Sequence, residues 1–180
     1  MVPSGSSGIW QRVDLFEQSI CVRANRGCRH AALRGFFSAV SRLADGPLWY
    51  MLMLALAFSG RTNAMAAAQM AMTAIAGLAI YKMLKQRLVR ERPYISHECI
   101  SLGTAPLDRY SFPSGHTLHA VAFTQIATAH VPELALAMVP FALLVAASRV
   151  VLGLHYPTDV VAGAAIGAVL ASASLAVWPA

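Results

Sequence analysis

Five apolar stretches with few ionisable residues constrain the fold of this chain more than any other feature of its sequence. They cover about residues 47–58, 64–84, 114–129, 133–152 and 158–178. A helix needs roughly 20 apolar residues to cross a bilayer. Only 12% of the 180 residues are charged, about half of the fraction usual in soluble domains. No stretch alternates like a β-barrel strand. The sequence therefore predicts an all-α integral membrane helical bundle with about five transmembrane helices, six being the alternative.

The first 46 residues differ from the rest of the chain in their charge. Apolar residues at positions 33, 36, 37, 40 and 43 recur at helical spacing, and six arginines lie between Arg12 and Arg42. This pattern favours an amphipathic helix in the membrane interface, with a soluble cap packed on the bundle as the alternative. We therefore divide the chain into an N-terminal amphipathic interfacial segment, 1–46, and a transmembrane bundle, 47–180.

Ionisable residues gather at one end of the predicted bundle. If the spans alternate in direction, the ends of the second and fourth and the starts of the third and fifth lie on one side. A cationic end with histidines at its centre suits a phosphorylated, anionic head group rather than a nucleic acid. For Lys82, Arg87 and Arg90 we favour simple contact with lipid phosphates. The residues at this end are Lys82, Lys85, Arg87, Arg90, Arg92, His116, His119, Arg149, His155 and Asp159.

Two short segments sharpen the prediction of a site. Residues 113–116 read Pro-Ser-Gly-His and place an unhindered turn at a helix N-terminus, where free N–H groups can hold phosphate oxygens. In the second segment Asp159 follows His155 by four residues, and Pro157 suits the first turn of a helix. Asp159 is expected to accept one ring N–H of His155, which fixes the tautomer and leaves the other nitrogen as a nucleophile.

Three motifs, K-x6-R-P, P-S-G-H and S-R-x5-H-x3-D, occur in this order, each with its full internal spacing. The chain thereby resembles the type-2 phosphatidic acid phosphatase superfamily of membrane lipid phosphatases, and residues 47–180 would form the phosphatase bundle. The motif residues are Lys85, Arg92, Pro93, Pro113, Ser114, Gly115, His116, Ser148, Arg149, His155 and Asp159.

The resemblance implies a hydrolase that uses a phosphohistidine intermediate and needs no metal or other cofactor. By this resemblance His155 attacks phosphorus, Asp159 orients it, and His116 protonates the leaving oxygen and later activates water. The phosphate oxygens would be held by Lys85, Arg92 and Arg149 and by the backbone of Ser114 and Gly115. His119 matches no motif position and is expected to support the core.

The resemblance leaves several questions open. Suitable substrates include polyprenyl diphosphate, phosphatidylglycerol phosphate, phosphatidate and phosphorylated lipid A, and head-group choice is expected to depend on residues 94–112, with His97, Glu98, Asp108 and Arg109 as candidates. The expected partners are this lipid and the bilayer, with no nucleic acid; the oligomeric state is open. We expect a bacterial inner-membrane protein with a periplasmic catalytic face, although the N-terminal arginines favour the opposite orientation.

Three other functions remain as alternatives. A phosphotransferase would pass the phosphoryl group from the phosphohistidine to an acceptor other than water. A lipid-anion binder or transporter would use the same cations without chemistry. A zinc site would be built from His116, His119 and His155, although the neighbouring cations would repel a metal ion.

Overall fold

The computed structural model describes residues 8–180, with side chains from Arg12 onward, and over this range the chain is helical. A single isolated bridge joins Glu91 and Tyr110. Short 3-10 turns occupy Arg26–Arg29 and Pro132–Leu134. The α-helices are α1 (Gly8–Asn25), α2 (Ala31–Leu43), α3 (Pro47–Phe58), α4 (Arg61–Arg87), α5 (Pro93–Ser96), α6 (Gly115–His130), α7 (Ala135–Val151) and α8 (Pro157–Val177).

The five predicted apolar stretches correspond to α3, α4, α6, α7 and α8. Within the described residues, α4, the stretch Pro132–Val151 and α8 are long and apolar enough to cross a membrane. By contrast, α3 has 12 residues and α6 has 16, fewer than the roughly 20 that a spanning helix needs. The prediction of an all-helical bundle is confirmed, whereas the prediction of five spans remains a prediction.

Helix α6 lies at the centre of the bundle, in contact with α4, α7 and α8. Leu118, Phe123 and Ile126 are buried on it. The ring of Trp49 on α3 packs edge-on against Phe123, with 5.3 Å between ring centroids, and is itself buried. Because α6 is covered on several sides, small residues such as alanine fill much of its surface. On α7 and α8, by contrast, several long apolar residues are exposed, among them Leu136, Leu143 and Val169, as lipid contact requires.

Two glycines of α8 let this helix approach α6 at backbone distance. A Cβ atom at Gly163 would lie 2.4 Å from the carbonyl oxygen of Ser114, and one at Gly167 would lie 2.3 Å from that of Leu118. Neither atom fits, so both positions require glycine. The contact fixes the N-terminus of α6 against the first turns of α8.

The N-terminal segment forms two helices that pack on the bundle. Helix α1 contacts α7 and α8, and α2 contacts α7. The predicted helical spacing at positions 33–43 lies within α2. The 3-10 turn at Arg26–Arg29 separates this helix from α1. Large apolar side chains stay exposed on both helices, among them Phe16 and Phe36, each at least 49% exposed. Their interfacial location remains a prediction.

Candidate active site

The structure brings the predicted site residues together at one end of the bundle. Each is placed by the end of a helix rather than by mid-helix packing. The residues are Lys85 in the last turn of α4, Arg92 just before α5, Ser114, Gly115 and His116 at the start of α6, Arg149 near the end of α7, His155 in the following turn and Asp159 in the first turn of α8.

The turn that carries His155 is tightly hydrogen-bonded. Gly153 has a φ of +73°, a left-handed conformation that glycine adopts without strain and that commonly ends a helix. The chain then turns back, so that the N–H groups of Leu154 and His155 both donate to the carbonyl oxygen of Arg149, each at 3.0 Å. This turn aims the buried imidazole of His155 into the polar cluster.

Arg92 fixes the protonation pattern of His155. Nη1 of Arg92 lies 3.2 Å from Nε2 of His155. Because a guanidinium only donates hydrogen bonds, Nε2 must present its lone pair, and the proton of the neutral ring is then on Nδ1. Burial, together with the positive charges of Arg149 and Arg92, holds the pKa of His155 well below its ordinary value. His155 is therefore a neutral imidazole whose Nε2 lone pair accepts a hydrogen bond from Arg92.

Asp159 differs from the prediction in its contacts. Its Oδ2 lies 3.7 Å from Nδ1 of His155, which is too far for a hydrogen bond. The carboxylate instead caps its own helix by accepting from the N–H of Tyr156 at 2.8 Å, and it pairs with Arg90. The expected His155–Asp159 hydrogen bond is thus wrong for this state of the protein, although the two side chains are neighbours.

Arg90 also differs from the prediction. Instead of facing lipid phosphates, its guanidinium joins two carboxylates: Nη1 donates to Asp159 Oδ1 at 2.8 Å, and Nη2 donates to Glu17 Oε2 at 2.7 Å. Burial opposes its charge, but these carboxylates raise the pKa of Arg90 above its ordinary value. Lys82 and Arg87 are exposed at the end of α4, as the prediction of lipid contact requires.

Asp108 lies where a phosphate group would be expected. Its carboxylate accepts hydrogen bonds from Lys85 and Tyr81, and its Oδ1 lies 2.9 Å from Nη2 of Arg92. Burial alone would raise the pKa of Asp108, but these donors lower it to about 2. The Asp108 carboxylate therefore stands in for a substrate anion between two of the predicted phosphate-binding cations.

His116 and Arg149 complete the cluster. Nε2 of His116 lies 3.5 Å from Oδ1 of Asp45, in the turn before α3. Arg149 is buried and donates to the hydroxyl of Ser41 on α2. Ser114 is also buried, and its hydroxyl pairs with Thr117 at 2.9 Å.

A groove of about 340 Å³ opens beside His116, between α3, α4 and α6. Its walls are mainly apolar and include Trp49, Met53 and Ile75. Its polar end is formed by Asp45, Tyr81, Gly115, His116 and His119. An acyl or prenyl chain would fit such walls while its head group met the cationic cluster.

The remaining candidates have local roles. Nδ1 of His119 lies 3.0 Å from the carbonyl oxygen of Gly115 and Nε2 lies 3.4 Å from that of Ala74, so the one N–H of the neutral ring donates to one of them. The ring also packs on Phe123, as the prediction of a supporting residue requires. The hydroxyl of Ser148 donates to the carbonyl oxygen of Val145 within its own helix at 2.6 Å. Among the side chains that the structure describes, no three from His, Cys, Asp or Glu converge as metal ligands.

Sequence reasoning missed four contributors to this cluster, namely Glu17, Asp45, Tyr81 and Asp108 as a partner of Lys85. Asp45 matches no motif position, and the sequence predicts Asp108 only as a head-group candidate. Single carboxylates in loops have no fixed spacing to a motif, so a sequence pattern does not reveal which cation they meet. The one available signal was the scarcity of acids: a basic membrane chain with 8 Asp and Glu residues pairs most of those near its cations.

The fold and the site define a class: a membrane helical bundle with a buried histidine, His155, among buried cationic side chains. The chain belongs to the PAP2 superfamily, whose family model matches residues 66–180. The crystal structure of Aquifex aeolicus LpxE is similar to it, with a TM-score of 0.76 and 26% identity over 88% of this chain and 93% of that one. A second similar structure is a transmembrane PAP2-type phosphatidylglycerolphosphate phosphatase from Bacillus subtilis, with a TM-score of 0.72, 24% identity and coverage of 92% and 86%.

Curated relatives are similar over about half of this chain. A decaprenylphosphoryl-5-phosphoribose phosphatase of Mycolicibacterium smegmatis is 46% identical over 45% of this chain and 43% of its own. A lipid A 1-phosphatase of Rhizobium johnstonii is 36% identical over 48% and 37%, and the undecaprenyl-diphosphatase BcrC of Bacillus subtilis is 32% identical over 54% and 50%. The chain thus spans half or less of the length of these relatives. Family membership and membrane-spanning helices make it an integral membrane protein.

Proposed function

We propose that this protein is a membrane lipid phosphatase that removes a terminal phosphate from a lipid phosphate or diphosphate through a phosphohistidine intermediate. The observation that carries the proposal is the position of His155: its unprotonated Nε2 lies 3.2 Å from Nη1 of Arg92, and Arg92 and Lys85 already hold the carboxylate of Asp108. A phosphate bound by the same cations would present phosphorus to this nitrogen.

The proposed reaction has two steps. In the first, Nε2 of His155 forms a bond to phosphorus while the bond from phosphorus to the lipid oxygen breaks, and His116 gives that oxygen a proton. In the second, a water gives a proton to His116 and attacks phosphorus, the P–N bond breaks, and inorganic phosphate leaves. The positive charges of Lys85, Arg92 and Arg149 stabilise the negative charge that shifts onto the phosphate oxygens.

Asp159 acts on the other side of the ring. When Nε2 bonds to phosphorus, the imidazole becomes positively charged, and a carboxylate 3.7 Å from Nδ1 stabilises that charge. A small approach of the two groups would convert this contact into a hydrogen bond. In the same way, Asp45, near His116, stabilises the positive charge of the His116 ring when that ring carries a proton.

The candidate lipid substrates are suggested by the apolar groove and by the phosphatase activities for which the relatives are named. The groove of about 340 Å³ takes part of one long chain beside His116. The candidate substrates are polyprenyl diphosphates, phosphatidylglycerol phosphate, phosphatidate and lipid A phosphates. We place the protein in a bacterial inner membrane with its catalytic face on the periplasmic side, on the basis of the family resemblance.

The test compares the wild type with His155→Ala on a panel of these four lipids, dispersed in detergent with excess chelator. Phosphate release is expected from the wild type and should fall by at least about a thousandfold in the variant, since removal of a nucleophile removes the covalent route. His130→Ala is the matched control. His130 is the last residue of α6, at the opposite end of that helix from His116, and it pairs with Gln69. Equal release from His155→Ala and the wild type would overturn the proposal.

A further inference from the structure

One face of α1 holds the turn that carries His155. Glu17, Cys21 and Asn25 are spaced four residues apart and are all buried. The thiol of Cys21 lies 3.9 Å from the carbonyl oxygen of His155, and the amide of Asn25 donates to the carbonyl oxygen of Val151 at 3.0 Å. The N-terminal segment therefore touches the nucleophile's own backbone, although it precedes the part of the chain that the family model matches.

Glu17 makes the most polar of these contacts. One oxygen of its carboxylate accepts the N–H of Thr158, at the start of α8, at 2.7 Å. The other accepts from Arg90 at 2.7 Å, and the second arm of the same guanidinium reaches Asp159 at 2.8 Å. Arg90 is further held by the ring of Tyr156, 4.0 Å from the guanidinium carbon to the ring centroid.

We infer that Glu17 is a positioning residue for the proposed phosphatase reaction, acting through Arg90 to hold Asp159 beside His155. The inference rests on the proposed function, because it concerns the charge that develops on His155 during phosphoryl transfer.

The charges of Glu17, Arg90 and Asp159 explain why a second carboxylate is needed beside Arg90. A lone Arg90 would draw Asp159 toward itself and neutralise it, which would weaken its support of the imidazolium at His155. Glu17 shares the positive charge of Arg90 and anchors the guanidinium from the opposite side. Two charge-assisted hydrogen bonds in a fixed geometry thus define where Asp159 sits.

A simpler role for Glu17 would be to cap α8, because its other oxygen accepts the N–H of Thr158. The substitution Glu17→Gln separates the two roles. The amide oxygen of glutamine still accepts that N–H, whereas the negative charge that faces Arg90 is lost. A change in turnover in Glu17→Gln therefore reports on Arg90 and not on the cap.

The experiment measures kcat and KM for the lipid of the panel that the wild type hydrolyses fastest. In Glu17→Gln, kcat should fall about tenfold, in line with the loss of one charged hydrogen bond, and KM should stay unchanged because Asp159 does not hold phosphate oxygens. Asp14→Asn is the matched control: it removes the same charge one turn earlier on α1, where Asp14 is exposed, and should leave both constants unchanged.

A double-mutant cycle with Arg90→Gln decides between positioning and general loss of folding. If Glu17 acts through Arg90, the double variant should be no less active than Arg90→Gln alone. The inference would be overturned if the losses of activity in Glu17→Gln and Arg90→Gln multiplied in the double variant. It would also be overturned if Glu17→Gln raised KM alone or kept the full kcat of the wild type. His155→Ala in the same assay keeps the two proposals distinct: if it retains wild-type activity, the proposed function itself fails.

Discussion

If Lys85 and Arg92 bind phosphate as proposed, Asp108 competes with the phosphate for these two cations, and this competition can be measured. The substitution Asp108→Asn removes the carboxylate charge that Lys85 and Arg92 hold in the free protein while keeping the size of the side chain. Phosphate should then bind more tightly, because it no longer has to displace a bound anion.

The structure sets the size of the effect. The pKa of Asp108 is about 2, against 3.8 for the free side chain. At about 1.36 kcal/mol for each tenfold change in acidity, this corresponds to roughly 2.5 kcal/mol of net stabilisation of the carboxylate. Its side chain is 32% exposed, so solvent screens part of this energy. About 1.4 kcal/mol remains as a working figure, which is about a tenfold gain in phosphate affinity.

The assay is calorimetric binding of inorganic phosphate in a His155→Ala background, which prevents turnover from disturbing the measurement. Glu91→Gln is the control, because it removes the same charge from an exposed pair with Arg109, 3.0 Å away, and should leave phosphate affinity unchanged. If Asp108→Asn binds phosphate no better, or less well, then Asp108 positions Lys85 and Arg92 instead of competing with substrate.

Two further predictions concern packing and pH. Gly163→Ala places a Cβ atom 2.4 Å from the Ser114 carbonyl oxygen, so it should lower the thermal unfolding midpoint by the equivalent of about 1–3 kcal/mol and reduce turnover. Gly35→Ala, which has no atom within 4 Å, should raise the midpoint, and equal effects of the two would contradict the packing argument. The pKa of His155 is held well below 6.5 in the folded protein, so below about pH 6.5 the unfolded chain binds a proton that the folded chain excludes. The free energy of unfolding should therefore fall by about 1.4 kcal/mol for each pH unit below about pH 6.5. The midpoint of His155→Gln in detergent should lack this part of the pH dependence between about pH 5 and pH 8, and parallel curves for the two proteins would refute it.

The site could be predicted to the extent that it is local. Motif spacing predicts Arg92, His116 and His155 as site residues. His116 and His155 also lie within a few residues of the ends of apolar stretches, which hydropathy locates well. The five apolar stretches likewise became five helices with bounds shifted by a few residues.

The contacts between carboxylates and cations could not be predicted in the same way. Asp159 follows His155 by four residues, which would place both on one face of a helix, but the helix begins only at Pro157. The spacing is therefore not helical at His155, and the two groups stay 3.7 Å apart. Glu17 lies 141 residues before Thr158, so only the packing of α1 on the bundle brings them together.

The glycine contact between α6 and α8 divides the molecule into parts that can change independently. The proposed acid, His116, lies in the first turn of α6, and the proposed nucleophile, His155, lies in the turn that leads into α8. Because these two helices are joined at backbone distance, we expect substitutions elsewhere to alter the separation of the two histidines little. The groove, by contrast, takes most of its apolar wall from α3 and α4. Substitutions in α3 and α4 can therefore change which lipid chain the groove accepts while the chemistry stays the same. Differences in substrate between members of this superfamily should be sought in these two helices first.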